Sequence, residues 1–201
     1  DAGMFARPLE VPVDTPSPRV AAGLGVIPRI VRDGAEIYRG KLEPGEAGSR
    51  LEQLYRPYHQ ALAVLVAETR ARFGVAVLVD CHSMPSALSV PDIVLGDRYG
   101  ASAAAALTQR AERAFLREGF SVARNMPYAG GYSTAAYGRA ALGCHALQIE
   151  INRALYLDED RITRKPAFET VRARLTRAMR HLTAIPHALL GPPGAVPEAA
   201  E

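Results

Sequence analysis

Asp80, Cys81, His82 and Ser83 stand in a row directly after the apolar run Val75-Ala76-Val77-Leu78-Val79. A carboxylate, a thiol, an imidazole and a hydroxyl thus follow what reads as a strand. Neutral imidazole is the commonest protein ligand for zinc, and a nearby carboxylate can fix its tautomer. His82 is therefore the first candidate metal ligand, and Asp80 the group that would orient it. A second constellation is Gln148-Ile149-Glu150-Ile151-Asn152. Alternation puts Leu147, Ile149 and Ile151 on one face, and Gln148, Glu150 and Asn152 on the other. A carboxylate between two amides, without the lysine or proline of a protected sheet edge, points to a cleft rather than a solvated face. Glu150 is the candidate general base on an attacking water, with Gln148 and Asn152 flanking it. The sequence holds no close-spaced pair such as H-x-x-E or H-E-x-x-H. Spacing alone therefore does not complete the roughly three protein ligands of a catalytic zinc site.

Two other chemistries use the same stretch. Cys81 or Ser83 would be a nucleophile if a histidine served as its base. Cys81 and His82 point to opposite faces of a strand and do not pair readily. His145 is the other candidate base, but it follows Cys144 at a strand start, where a structural role is as open. His59, on the flank of a helical stripe, reads as a boundary or surface histidine.

The elements that must position these groups are legible as apolar runs and stripes. Gly74 and Pro85 bracket the 75–83 stretch, which reads as a strand buried on both faces. In α/β sheets, ligands bind beyond the carboxyl ends of strands, where Asp80 to Ser83 would lie. Residues 92–97 and 120–125 read as further strands, with an Ala-rich helix over 103–118 between them, Ser102 its N-cap and Gly119 its stop. Upstream, Ile37-Tyr38 is expected to pair back on residues 23–31 across Asp33-Gly34 as a hairpin. A helix is expected from the capping box Ser49-x-x-Glu52, with a kink or a new start at Pro57. Residues 126–140 read as a long Gly- and Tyr-rich loop. Pro166 is expected to open the last helix, whose arginines read as a solvated face. Strand, helix, strand alternation predicts an α/β fold with a mixed, mainly parallel sheet flanked by helices.

Length and composition bound the rest. The 201 residues, 48% hydrophobic and 22% charged, suit one domain over residues 1–190 with a disordered tail over 191–201. The net charge of +3 comes from scattered arginines, so no nucleic-acid patch is expected. No apolar run suits a membrane span, and the N-terminus lacks the pattern of a signal peptide. Two cysteines make no disulfide framework, so a reducing, cytoplasmic setting is expected.

Taken together, seven short segments resemble the N-formylglutamate amidohydrolase family. They are Gly23-Leu24-Gly25-Val26-Ile27-Pro28-Arg29, Ile37-Tyr38-Arg39-Gly40, Pro57-Tyr58-His59, Asp80-Cys81-His82-Ser83-Met84-Pro85, Asp92-Ile93-Val94-Leu95-Gly96-Asp97-Arg98, Pro127-Tyr128-Ala129-Gly130-Gly131-Tyr132 and Gln148-Ile149-Glu150-Ile151-Asn152-Arg153. The resemblance implies a zinc-carboxypeptidase-like (phosphorylase/hydrolase-like) fold and zinc-dependent hydrolysis of N-formylglutamate to formate and glutamate. It implies that His82 is a zinc ligand and Glu150 the general base. Members also carry an upstream metal-binding histidine, an acidic partner and an Asn-Arg pair, none of which follows Asp1. The chain is thus expected to be a fragment or a shortened member, with Zn2+ weakly held or missing. A sheet lacking strands would expose an apolar edge and favour self-association. The expected partner is a small acidic N-acyl amino acid. Arg139, Arg29, Arg98 and Arg153 lie in or beside these segments, and arginine holds a carboxylate through two parallel hydrogen bonds. Arg139 is the first choice. The alternative is a non-catalytic protein that binds an acidic small molecule.

Overall fold

The computed structural model describes residues 18–21, 23, 25, 27–31, 34–86 and 90–191. Most of residues 1–22, and all but Gly191 of the expected tail, lie outside the described residues. The chain divides into two units, residues 1–62 and 63–201.

In the first unit, a single turn of helix, α1 (Pro18–Ala21), precedes an antiparallel bridge between Ile30 and Glu36. The Val31 N–H donates to the Ala35 carbonyl at 2.9 Å, which closes the expected hairpin. The next helix does not begin at Ser49. It begins as α2 (Pro44–Arg50), with Ser49 inside it. Proline suits a first helical turn because it has no N–H to leave unpaired there and its φ is already helical. At Pro57, where a kink or a new start is expected, the chain has widened into a π-helical turn, Leu51–Tyr55, and α3 (Arg56–Phe73) begins one residue before the proline. Proline offers no N–H and crowds the carbonyl four residues back, and a widened turn accommodates both.

The second unit is built on a four-stranded sheet. Its strands are β1 (Ala76–Met84), β2 (Ile93–Gly96), β3 (Val122–Arg124) and β4 (Cys144–Asn152), in the order β1-β4-β2-β3. β1 runs parallel to β4, β2 runs parallel to β3, and β2 opposes β4. The sheet is therefore mixed and mainly parallel, as the alternation of elements predicts. A small ribbon, β5 (Leu157–Asp158) with β6 (Thr163–Arg164), follows.

Helix α4 (Ala105–Arg117) crosses between β2 and β3, and α6 (Phe168–Thr183) packs beside it. Their apolar stripes meet the sheet's apolar face. Leu107, Ala111, Phe115, Ala178 and Leu182 join Ile93, Leu95, Leu147 and Ile149 in one core. Gly119, at φ +75, stops α4 as expected, because a left-handed residue after a helix costs glycine little. Ser102 is not its N-cap. The Ser102 hydroxyl donates instead to the Ala146 carbonyl at 2.8 Å, tying the helix approach to β4. Pro166 likewise precedes the helix rather than opening it, since α6 starts at Phe168.

Two expectations change in the sheet. β1 is not buried on both faces: among the described residues it pairs only with β4, and its residues are mostly half-buried or exposed. The strand buried throughout is the short β2. Residues 126–140 are not all loop, because they contain α5 (Tyr132–Tyr137).

Candidate active site

The polar face of the sheet carries the site. His82 and Glu150 are register partners in the parallel β1–β4 pair, and Asp80 is the partner of Gln148. Neighbouring strands lie about 4.8 Å apart, so side chains at paired positions on one face are neighbours. The alternation read in residues 146–152 is thus real, and β4 is a central strand rather than an edge. Gln148, Glu150 and Asn152 are buried, at 4%, 7% and 7% exposure. Buried polar groups require partners. Gln148 supplies them in both directions. Its Nε2 donates to Glu150 Oε1 at 2.8 Å, and its Oε1 accepts the Gly131 N–H at 2.7 Å.

Burial raises the Glu150 pKa above the ordinary glutamate value, because it penalises the charged form. Asp80 adds to the rise, while His82, the Gln148 hydrogen bond and Arg153 oppose it. Asp80 Oδ1 lies 3.0 Å from His82 Nε2. That contact holds the ring through one nitrogen and leaves Nδ1 for a ligand.

Arg153 has a different task. Its Nε donates to Ser83 Oγ at 3.1 Å and its Nη2 to the Ser83 carbonyl at 3.2 Å, while Nη1 lies 3.6 Å from Glu159. Glu159 in turn accepts from the Ser86 N–H and hydroxyl. The cluster clamps the end of β1, and with it His82, to the chain that follows β4. Its members are distant in sequence and joined only by strand register, so sequence reading did not find it. Asn152 is also structural in part, since its Oδ1 accepts the Ala154 N–H at 2.9 Å and starts the short turn after β4.

The remaining candidates fall elsewhere. Arg139 Nη1 donates to the carbonyls of Ala135 and Gly138 at 2.8 and 2.6 Å, which occupies it at the end of α5. Arg29 lies in the first unit, 3.6 Å from Glu36. Arg98 is exposed, and no described residue engages its guanidinium. His59 packs against the rings of Tyr55, tilted, and Tyr58, edge-on, with centroids 4.4 and 5.1 Å away. His145 is 2% exposed. Its Nδ1 faces the Ala104 N–H at 3.2 Å and its Nε2 the Leu190 carbonyl at 2.7 Å, so both nitrogens have structural partners. It is not available as a base for Cys81. Although Cys81 is exposed, partial burial of its thiol and the Asp80 charge push its pKa up, away from reactive thiolate.

The arginines of α6 are less free than a solvated face suggests. Arg174 stacks 3.9 Å above the Phe120 ring, and Arg177 pairs with Glu118.

Among the described residues, no three His, Cys, Asp or Glu side chains group closely enough to hold a metal ion. His82 is one donor where a catalytic zinc takes about three. The expected zinc therefore does not fit on the described residues alone.

Comparison with known proteins bears on the same segments. A family model described as N-formylglutamate amidohydrolase matches residues 7–157. An N-formylglutamate deformylase of Pseudomonas aeruginosa is 35% identical over 147 residues, covering 69% of this chain and 55% of the relative. That of Pseudomonas putida is 33% identical over 164 residues, covering 77% and 61%. The chain thus spans little more than half the length of these relatives. The crystal structure of an N-formylglutamate amidohydrolase from Ralstonia eutropha JMP134 superposes with a TM-score of 0.81 at 34% identity, covering 91% of this chain and 69% of that one. A gene product of Agrobacterium tumefaciens, at 19% identity and a TM-score of 0.56, shares the fold.

Proposed function

The chain belongs to the N-formylglutamate amidohydrolase family, and on that premise we propose that it provides the general base of a site that hydrolyses an N-formyl or N-acyl acidic amino acid. For N-formylglutamate, the reaction adds water across the formyl C–N bond and gives formate and glutamate. The observation that carries the reading is the buried Glu150, partnered by Gln148 and in register with His82.

The Glu150 carboxylate takes a proton from water as the oxygen attacks the formyl carbon. The tetrahedral adduct then collapses. The same proton passes to the amide nitrogen, which leaves as the amine of glutamate. A carboxyl group with a raised pKa suits both halves of this transfer, since it accepts from water and returns the proton to a leaving amine. Asp80 orients the His82 ring, and Arg153 fixes the strand end that carries it. Zinc would require donors beyond those that the described residues bring together, so no step here depends on it.

Glu150→Gln keeps shape and hydrogen bonding but not basicity. Turnover of N-formylglutamate should fall by roughly 10²–10⁴-fold, with the fold unchanged by circular dichroism. Full turnover in this variant would sink the assignment. If the protein only binds acidic molecules, calorimetry will record affinity where the assay records no formate.

A further inference from the structure

We propose that Arg98 receives one carboxylate of the substrate, and that Asp97, Asn125 and Thr108 are the residues that position it. The inference rests on the amidohydrolase reading. It starts from the cations available. Arg139, Arg153 and Arg29 are held by carbonyls or carboxylates, whereas the Arg98 guanidinium has no partner among the described residues. A substrate with two carboxylates needs such a group, because arginine binds a carboxylate through paired hydrogen bonds.

The backbone around Arg98 is unusual. Arg98 and Tyr99 adopt φ of +54° and +57°, and Asn125 adopts +59°. Left-handed positions disfavour side chains other than glycine, and such strain persists only where the surroundings impose it. A turn built only for connection would place glycine there. This one places an arginine and a tyrosine, so their side chains are what it serves to present.

The surroundings that impose the strain are buried. Asp97 is 6% exposed, and its carboxylate accepts from Thr108 Oγ1 at 2.8 Å, Asn125 Nδ2 at 2.8 Å and the Gly100 N–H at 3.0 Å. Asn125 Oδ1 accepts from the N–H groups of Asp97 and Tyr99, on either side of Arg98, at 3.1 and 3.3 Å. The Arg98 N–H itself donates to the Ala129 carbonyl at 2.7 Å. Three tethers thus fix one residue.

The turn also connects to the site. Gly96 is the register partner of Gln148, and a Cβ on Gly96 would come within 2.6 Å of the Gly130 nitrogen. A Cβ on Gly130 would come within 3.2 Å of Arg98 Cγ. The next residue, Gly131, donates to Gln148, which donates to Glu150. Arg98 is therefore packed on the loop that seats the amide beside the general base. Glu150 and Gln148 lie two residues apart, roughly 7 Å along the strand, and Gly96, two residues before Arg98, stands opposite Gln148.

The test compares binding of N-formyl-L-glutamate, N-formyl-L-glutamine and N-formyl-L-isoglutamine by calorimetry, in a Glu150→Gln background that does not consume the ligand. The parent should prefer the diacid to both amides. Arg98→Met should abolish the preference over one amide, a loss of roughly ten- to a hundredfold, and leave the other. Asn125→Gly keeps the left-handed backbone accessible but removes the tethers. It should weaken the same preference when Arg98 is present and change nothing when Arg98 is methionine. A preference that survives Arg98→Met, or one lost in Arg139→Met instead, overturns the assignment of Arg98 alone. An equal effect of Asn125→Gly with and without Arg98 overturns the positioning role. A parent that does not favour the diacid overturns both this inference and the amidohydrolase reading.

Discussion

Glu150 sets the acid limit of the proposed reaction. Only its carboxylate accepts a proton from water, and burial raises its pKa above the ordinary glutamate value. The acid limb of kcat/KM should therefore lie at higher pH than an unperturbed glutamate would give. The Gln148 hydrogen bond favours the charged form and pulls the other way. Gln148→Met removes that bond, so the limb should move further upward, which a pH–rate profile on N-formylglutamate measures. A limb that stays in place or moves down would separate Glu150 from the titrating group. Cys81→Ser provides the opposite control. The Cys81 thiol has a raised pKa, and His145 is held by Ala104 and Leu190, so turnover should survive the change. Both site residues were legible because each sits in a strand where facing follows from position. Their partners were not. Gly131 and Gln148 are 17 residues apart, and Arg153 and Ser83 are 70 apart. Only the register of β1 on β4 brings the second pair together.

At the scale of elements, glycines separate backbone that must stay close from backbone that need not. Gly96 lies on β2 under the 129–130 backbone, where a Cβ would come within 2.6 to 3.0 Å of three main-chain atoms. Gly96→Ala should push that loop off the sheet and displace Gly131 from Gln148. The expected outcome is a lower melting temperature together with weaker substrate binding. Gly48 lies within α2 and has nothing within 4 Å of its Cβ position. Gly48→Ala should stabilise the helix by about 0.5–1 kcal/mol, read by thermal unfolding. The same substitution thus acts with opposite sign at the two sites. β2 was readable from its apolar run because burial writes itself into composition, and β4 from its alternation, whereas the apolar run of β1 overstated its burial. Helix starts were not readable. Ser49 fits a capping pattern yet lies inside α2, since Pro44 had already opened the helix. Ser102 fits a cap too, but its hydroxyl is drawn to β4. Local signals of this kind lose when a tertiary partner offers a better hydrogen bond.

For the molecule as a whole, the site works against stability. The fold class followed from alternating elements, and the family from segments scattered along the chain. Neither reveals what it costs to bury a carboxylate. The Glu150 pKa is higher folded than unfolded, so between the two values the folded chain binds more protons than the unfolded one. Stability then falls as pH rises through that window. Below it the side chain is protonated in both states and the penalty vanishes. Above it the penalty is present in full. Glu150→Gln carries no charge at any pH and keeps a group able to accept the Gln148 hydrogen bond. The variant should match the parent in acid and exceed it in melting temperature above the window, with the gap opening as pH increases. Thermal unfolding across that range tests this directly. A gap that stays constant with pH would mean that Glu150 does not titrate differently on folding. The same variant is expected to lose turnover, which would make the buried carboxylate a place where activity is kept at the expense of stability.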